Sequence, residues 1–361
     1  MAYQFADGFD NYGNNYTFTN GYPWTTNTAG AGIFATTGDF RFAAPGSLPS
    51  GCASVQGGNA YLRQNLASNQ ATLIVGFGYK IAALPSSYQD ICTLWDGTTP
   101  NPQISLILNN LGQLFFARAN GGGINGTTVG PVSSSNLIVP NAWYGIQLQV
   151  TISSTVGAVS CYVNGNATPS ITGSSLNTQN TANAYANQVS IGTAGSSGAT
   201  GLQKYDDFFC LDNTGGFLNA LLGGDARILT KMPASAGNYS NWTPNGLGSN
   251  FQNAAVQPPN TADYNSNNTA TTKDSYTMQS AGLGVAPYFV MARASLERDD
   301  AGTHNPSLFV RSGATDSSGV ATATLTSSYL FYDAIFQNDP ATGIAWTATG
   351  ADNAQAGIIE G

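Results

Sequence analysis

Hydrophobic and polar residues alternate along the segment that starts at Trp143. Across the ten residues from 143 to 152, one face is apolar and the other carries glycine, glutamine and threonine. This period of two predicts a strand with one buried face, and the face with Gln147 is expected to be exposed to solvent. Gly157 ends a short turn and Asn164-Gly165 closes a second alternating arm, so the segment predicts an antiparallel hairpin. The residues directed towards the core are Tyr144, Ile146, Leu148, Val150, Ile152, Val159, Cys161 and Val163.

Similar alternation recurs on both sides of this hairpin, with turn signals between the segments. In one segment Gly76 and Gly78 share a face, which predicts the close approach of a neighbouring backbone or sheet. No window in this half of the chain has the period of a helix, so we predict an antiparallel β-sandwich over residues 1–223. Besides the hairpin, its predicted strands cover 3–12, 60–63, 73–81, 91–95, 104–108, 113–117, 189–192 and 205–212, and 32–35 and 39–42 are short strand candidates.

A second, smaller β-sandwich is predicted over residues 224–361. Between its first two strands, residues 233–274 are mostly Gly, Asn, Ser, Thr, Ala and Pro, which predicts a long loop. The loop has few large apolar residues, so we expect contact with another subunit to order it; a flexible linker is the alternative. The predicted strands are 226–229, 288–296, 308–311, 321–325, 330–336 and 356–359.

The charge content restricts the function classes. Charged residues make up 8% of the chain against about 25% in typical domains, and the net charge is −8. Lysines and arginines do not cluster, so we expect no nucleic-acid partner. Residues 119–203 carry no charge but are rich in Ser, Thr, Asn, Gln and Gly, so no membrane segment is expected. The N-terminus lacks the pattern of a secretory signal, although removal of a signal remains an alternative.

Four cysteines lie in the first 212 residues, and their spacing fits no zinc motif. We interpret them as small buried hydrophobic residues that stay reduced, with a disulfide pair as the alternative. They are Cys52, Cys92, Cys161 and Cys210.

An ordered set of motifs over about residues 1–212 resembles the concanavalin A-like lectin/glucanase superfamily in its laminin-G-like form. The resemblance implies a jelly roll of two curved sheets. The motifs occur in the order Asp7-Gly8-Phe9-Asp10, Leu73–Ile81, Leu94-Trp95-Asp96-Gly97, Ile104–Asn120, Trp143–Gly165 and Tyr205-Asp206-Asp207-Phe208.

The second half of the chain resembles the C-terminal half of tailed-bacteriophage structural proteins. The resemblance is carried by Gly224–Leu229 with Trp242-Thr243-Pro244, and by Arg298–Gly313. It implies a virion protein on the particle surface, as a capsid decoration, a fibre or a tail component. Expected partners are other virion proteins and further copies of this chain. The alternative is a glycan-binding lectin or adhesin module for host attachment.

The superfamily includes glycoside hydrolases, which need two carboxylates close together. Its glucanase pattern, Glu-x-Asp-x-x-Glu, is absent, because the only glutamates are Glu297 and Glu360. Asp206 and Asp207 are adjacent in a strand and are expected to face opposite sides. His304 is the single histidine, with no partner for nucleophilic catalysis. We therefore expect no catalytic residues, no cofactor and no enzyme activity.

Two further interpretations concern binding. Asp7, Asp10, Asp206 and Asp207 are candidates for calcium, which relatives use, but we favour roles as strand-end caps and turn carboxylates and predict no metal. Trp24 and Trp242 lie in predicted loops and are the candidates for a surface contact with a glycan or a neighbouring subunit.

Overall fold

The computed structural model describes residues 2–12, 14, 16, 18, 24–28, 33–36, 38–42, 48–99, 101–118, 126–194, 196–197 and 200–361, with only the backbone described at 26–28, 33–36 and 196–197. The described residues form strands, turns and two helices of five residues each, which confirms the all-β prediction. They divide into two compact units, Met1–Phe42 with Gly51–Ile228, and Ala43–Ser50 with Leu229–Gly361. Residues 224–228, assigned above to the second domain, thus fall in the first unit.

The first unit is built from two antiparallel sheets. In the described part of the chain, the first sheet has the strand order β13-β12-β11-β6-β16-β4-β3, with β1 also on β16, and the second has the order β10-β9-β8-β7-β14-β5-β2, with β15 on β7. The strands are β1 (Tyr3–Asp7), β2 (Thr26–Thr28), β3 (Ile33–Thr36), β4 (Cys52–Val55), β5 (Tyr61–Gln70), β6 (Thr72–Ile81), β7 (Tyr88–Asp96), β8 (Asn101–Asn109), β9 (Leu114–Arg118), β10 (Thr127–Val129), β11 (Tyr144–Thr151), β12 (Gly157–Val163), β13 (Ile171–Leu176), β14 (Ala186–Gly192), β15 (Ser196–Ser197) and β16 (Gln203–Asp212).

The predicted hairpin is β11 with β12, and the eight side chains directed inward are all buried. They join apolar residues from both sheets in one core. The Tyr205 hydroxyl of the first sheet crosses this core and donates to the carbonyl oxygen of Ile91 on the second sheet, over 2.9 Å. The four cysteines are buried and free, as expected of small hydrophobic residues. Burial raises the pKa of the Cys52 and Cys161 thiols to about 12, so both stay protonated.

The second face of β11 is also covered, contrary to the prediction that Gln147 faces solvent. Gln147 is buried. Its amide nitrogen donates to the carbonyl oxygen of Gly224 over 2.9 Å, and its amide oxygen accepts from the backbone nitrogen of Leu222 over 3.1 Å. The chain after β16 therefore returns across this face. The Gln147 side chain supplies hydrogen bonds to the backbone of this returning segment, which no strand provides.

The glycines of β6 do mark a close approach, but side chains rather than backbone occupy the space. A Cβ on Gly76 would overlap the ring of Phe209, and a Cβ on Gly78 would lie 2.7 Å from Cδ of Arg41. The distances, 2.1 Å to Cζ of Phe209 and 2.7 Å to Cδ of Arg41, are both shorter than contacts that real Cβ atoms make. Because both positions are glycine, an aromatic ring and an arginine side chain fit above the first sheet.

The second unit packs a sheet against a two-stranded ribbon. Among the described residues the sheet has the order β17-β20-β26-β22-β23, with β24 on β22, and the ribbon joins β21 to β25. The elements are β17 (Pro233–Ser240), β18 (Thr243–Asn245), α1 (Asn250–Ala254), β19 (Tyr264–Ser266), β20 (Lys273–Met278), β21 (Val290–Leu296), β22 (Ser307–Ser312), β23 (Thr315–Asp316), β24 (Val320–Ala321), β25 (Leu330–Phe336), α2 (Ala348–Asp352) and β26 (Gln355–Ile359). Their shared core includes Leu308, Val310, Tyr332, Phe336, Trp346 and Ile358.

The expectation of a long loop at 233–274 is wrong. This segment contains β17, β18, α1, β19 and the start of β20, and β17 pairs with β20. Asparagine side chains replace the missing apolar contacts. Asn253 Nδ2 donates to the carbonyl oxygens of Asn245 and Tyr264 over 2.9 and 2.7 Å, and Asn250 Nδ2 donates to that of Trp242 over 2.8 Å. These amides satisfy backbone acceptors within the segment, so the segment has its own order within the chain.

The strand expected at 226–229 is irregular, because the backbone nitrogen of Ile228 donates to the Asp207 carboxylate instead of to a neighbouring strand. Neither helix in the described part of the chain is long and apolar enough to cross a membrane.

Candidate functional site

The acidic residues singled out in the sequence are engaged by the protein itself. The carboxylate of Asp7 accepts from the Tyr12 hydroxyl over 2.8 Å, from the Trp24 indole nitrogen over 2.9 Å and from the backbone nitrogen of Phe9 over 3.0 Å. Asp10 accepts from the backbone nitrogen of Gly51 over 3.0 Å. Asp7 therefore caps a local turn, and Asp10 holds the backbone at Gly51. Among the described residues, no group of three histidine, cysteine or acidic side chains is arranged to hold a metal ion.

The sequence predicts that Asp206 and Asp207 face opposite sides of the sheet, and this prediction is wrong. Asp207 has a φ of 51°, and the register of β16 against β6 shifts between Asp206 and Phe209. Such a bulge interrupts the alternation of side chains. Consequently Asp206 accepts from the backbone nitrogen of Arg41 over 2.9 Å, and Asp207 lies 3.4 Å from Nη1 of the same arginine.

Arg41 is the centre of this cluster. Its side chain is buried and passes over Gly78, and its Nη2 reaches the carboxylate of Asp225. A Cβ on Gly145 would overlap both partners of that ion pair. Burial raises the pKa of Asp206 well above its usual range, and raises that of Asp207 to about 6. The cluster joins segment 38–42 and segment 225–228 to the first sheet, which is a structural role.

The two tryptophans proposed for surface contact differ in position. The prediction that Trp24 makes a surface contact is wrong, because its side chain is 0% exposed. Its ring packs among Phe5, Phe9 and Phe208, with centroids 4.9 to 5.9 Å away, while its nitrogen is bonded to Asp7. Trp242 is half-buried against the core of the second unit. A ligand contact by Trp242 stays a prediction.

A different surface groups aromatic, amide and hydroxyl side chains. Strand register places Arg63, Ser190, Thr93, Ser105 and Ala117 in one row across β5, β14, β7, β8 and β9. Paired residues share a face of a sheet. The intervening residues of these strands, including Leu62, Val189, Leu94, Ile104 and Phe116, fill the core. The row therefore lies on the opposite side, which we call the outer face of the second sheet.

This face has a buried floor of small side chains. Thr93 and Ser105 share a hydrogen bond of 2.9 Å, and the indole nitrogen of Trp95 donates to Oγ of Ser190 over 2.8 Å. Ile107 and Phe115 form a small apolar cluster at one side of the floor. At the other side, Tyr61 and Trp95 place their ring centroids 5.7 Å apart.

Arg63 lies over these two rings. Its guanidinium carbon is 5.6 Å from the Tyr61 centroid and 5.2 Å from the Trp95 centroid. Its Nε is buried without a hydrogen-bond partner among the described residues. Cation–π contacts thus fix the side chain while its N–H groups stay uncommitted to protein acceptors.

An amide-rich rim continues the surface beyond Trp95. Gln188 Nε2 donates to Oδ1 of the exposed Asn65 over 2.7 Å, while the buried Oε1 of Gln188 has no partner among the described residues. The Asn187 amide accepts from the backbone nitrogen of Gly97 over 2.6 Å, and Thr98 and Tyr185 share a hydroxyl contact of 3.0 Å. A Cβ on Gly97 would meet the Gln188 amide at 2.6 Å, so the Gln188 side chain can pack against this position only because it is glycine.

No motif in the sequence points to this surface. Residues 60–63 and 91–95 were predicted as strands, and Tyr61, Arg63 and Trp95 belong to them. Their proximity depends on the pairing of β14 with both β5 and β7, and no sequence signal specifies that register.

Comparisons with known proteins show likeness in structure alone. No protein-family model and no curated protein matches the sequence. The structure is similar to a cellulose-induced protein, Cip1 (TM-score 0.36, 12% identity, 57% of this chain and 99% of that one). It is also similar to the carbohydrate-binding module CBM66 from Bacillus subtilis (0.33, 8%, 54% and 99%), and to the Trypanosoma rangeli sialidase (0.33, 14%, 51% and 29%), of which it spans less than a third. At these scores and identities the likenesses carry no argument about function.

Proposed function

We propose that this chain is a non-catalytic glycan-binding β-sandwich protein, and that it binds through the outer face of the second sheet. The observation that carries the proposal is that strand register places the half-buried Tyr61 and the buried Trp95 beside the amide rim of Asn65, Asn187 and Gln188. Aromatic rings and planar amides thus share one face of the sheet across β5, β14 and β7.

Sugars match this chemistry. Each hydroxyl group can donate one hydrogen bond and accept others, and an amide side chain offers both kinds of partner in one plane. Aromatic side chains supply apolar surface for the C–H faces of a sugar ring. A site on paired strands needs little reordering on binding, which reduces the entropic cost.

The acidic residues support a binding rather than a catalytic role. Asp206 and Asp207 are held by backbone nitrogens and by Arg41, and Glu360 contacts His304 at 2.8 Å. Glycoside hydrolysis requires one carboxylic acid and one carboxylate on either side of the scissile bond. In these residues the carboxylates instead hold the protein's own chain segments.

A glycan array with the full chain tests the proposal, followed by titration of the best ligand against Tyr61→Ala. We expect affinity to fall about tenfold or more, since stacking and burial of an aromatic ring contribute several-fold effects. Tyr264→Ala is the matched control, because Tyr264 is an exposed tyrosine of the second unit. The proposal fails if the array shows no binding, or if Tyr264→Ala weakens binding while Tyr61→Ala does not.

A place on the surface of a virus particle, with other virion proteins as partners, stays a prediction from sequence resemblance. It is compatible with glycan binding, since attachment to a host can use a sugar-binding surface protein. Immunogold labelling of purified particles with an antibody to this chain would test it, and unlabelled particles would contradict it.

A further inference from the structure

Among the described residues no carboxylate pairs with Arg63, whereas most cationic residues of this chain have an acidic partner. The four lysines and Arg41, Arg293 and Arg311 each pair with an aspartate. The Arg63 side chain makes no hydrogen bond or ion pair with any described residue, and its guanidinium lies over the rings of Tyr61 and Trp95. The chain has a net charge of −8, and yet the Arg63 guanidinium meets aromatic rings and no described carboxylate.

We infer that Arg63 is the receptor for a carboxylate, so that the glycans bound by this face contain an acidic sugar. The inference rests on the proposed glycan-binding function and specifies its ligand class. A guanidinium presents parallel N–H groups that match the two oxygens of a carboxylate. The rings already hold the side chain in place, so little side-chain entropy is lost when the anion binds.

The position of Arg63 fits such a ligand. It lies in the same strand and on the same face as Asn65, whose amide contacts Gln188. A sugar carboxylate at Arg63 would therefore place the hydroxyl groups of the same or the next ring near the amide rim.

The test is a titration of the full chain with uronate oligosaccharides and with the same oligosaccharides after reduction of their carboxyl groups to alcohols. We expect the wild-type protein to prefer the acidic form by about tenfold or more. Arg63→Gln should abolish this preference, and Arg63→Lys should restore part of it, since lysine keeps the charge but loses the parallel N–H groups. Arg298→Gln, which changes the net charge equally in the second unit, should leave the preference unchanged.

A measurement on the wild-type protein covers the case in which Arg63→Gln does not fold. In a spectrum of ¹⁵N-labelled arginine side chains, the Nε–Hε signal of Arg63, assigned from the Arg63→Lys variant, should shift on addition of the uronate ligand. Binding of reduced or neutral glycans with no preference for the acidic form, or an unchanged Arg63 signal at saturation, would overturn the inference and leave glycan binding intact. Binding of sulfated glycans alone would also overturn it, whereas failure of every glycan to bind refutes the proposed function itself.

Discussion

The indole nitrogen of Trp24 donates a hydrogen bond of 2.9 Å to Oδ2 of Asp7 within a fully buried aromatic cluster. Trp24 lies outside the described strands, and its hydrogen bond ties this one position to β1. We expect Trp24→Phe to lower the free energy of unfolding by about 1–3 kcal/mol, because a buried carboxylate loses a donor while the ring packing is largely retained. Urea unfolding measures this change.

Trp143→Phe is the control for that prediction. Trp143 is half-buried and its nitrogen donates over 3.2 Å to Asp39, which also contacts two lysines. Its loss should cost less than about 1 kcal/mol. Equal destabilisation by the two substitutions would show that the Asp7 bond contributes nothing particular to the fold.

Gln147 should matter more than its neighbour Gln149 on the same face of β11. Gln147→Ala removes the bonds to the backbone of Leu222 and Gly224, and we expect a loss of about 1–3 kcal/mol of stability. Gln149 is half-buried, and Gln149→Ala should cost under about 0.5 kcal/mol. Similar small losses at both positions, in chemical denaturation, would mean that this face of the sheet is exposed to solvent after all.

Gly76 is predicted to be intolerant of even one methyl group. In Gly76→Ala the new Cβ collides with the Phe209 ring, so we expect about 1–3 kcal/mol of destabilisation. Gly216→Ala is the matched control, because a Cβ there meets nothing within 4 Å; it should be neutral or slightly stabilising. Thermal unfolding of the two variants compares them directly, and a neutral Gly76→Ala would contradict the packing of Phe209 against β6.

His304 should make the stability of the second unit depend on pH. Hydrogen bonds to Glu360 and to Asp300, at 2.8 and 3.0 Å, raise the pKa of His304. A raised folded-state pKa means that the stabilisation is complete below the unfolded pKa of about 6.5, and that it is lost as the pH rises through the folded value. Hydrogen exchange of β26, which precedes Glu360, should therefore be slower in wild type than in His304→Gln at low pH.

The two proteins should converge in that experiment as the pH rises above neutrality. Groups that are common to both, such as Asp206 and Asp207, cancel in the comparison. A difference between wild type and His304→Gln that is the same at about pH 5.5 and about pH 8.5, on either side of the usual histidine pKa, would show that His304 does not act through its charge.

Alternation along the chain predicted the strands well, because one buried face is enough to impose a period of two. Val150 and Val159 are buried as the pattern requires, and Leu330–Phe336 is a strand at the predicted bounds. Contacts that depend on polar groups were missed. The pattern predicts that Gln147 faces solvent, because the contact with Gly224 has no signal in the sequence. Segment 233–274 has the composition of a loop because asparagine side chains, rather than apolar ones, organise it.

The candidate site could not be predicted in the same way. The alternation in β5 places Tyr61 and Arg63 on one face, but Trp95 comes from a strand that is not its direct neighbour, with β14 between them. A surface assembled from three strands depends on register, and register is fixed by the whole core. The bulge at Asp207 likewise follows from tertiary contacts with Arg41 and Ile228.

Hydrogen–deuterium exchange of the full chain, with and without the best glycan from the array, tests the central claim most directly. The outer face of the second sheet predicts slower exchange on binding in peptides that contain residues 61–66, 95–99 and 183–190. Peptides of the second unit, including the one around Trp242, should be unchanged. Protection confined to the second unit, with no change in β5, β7 and β14, would contradict the account and direct attention to Trp242 instead.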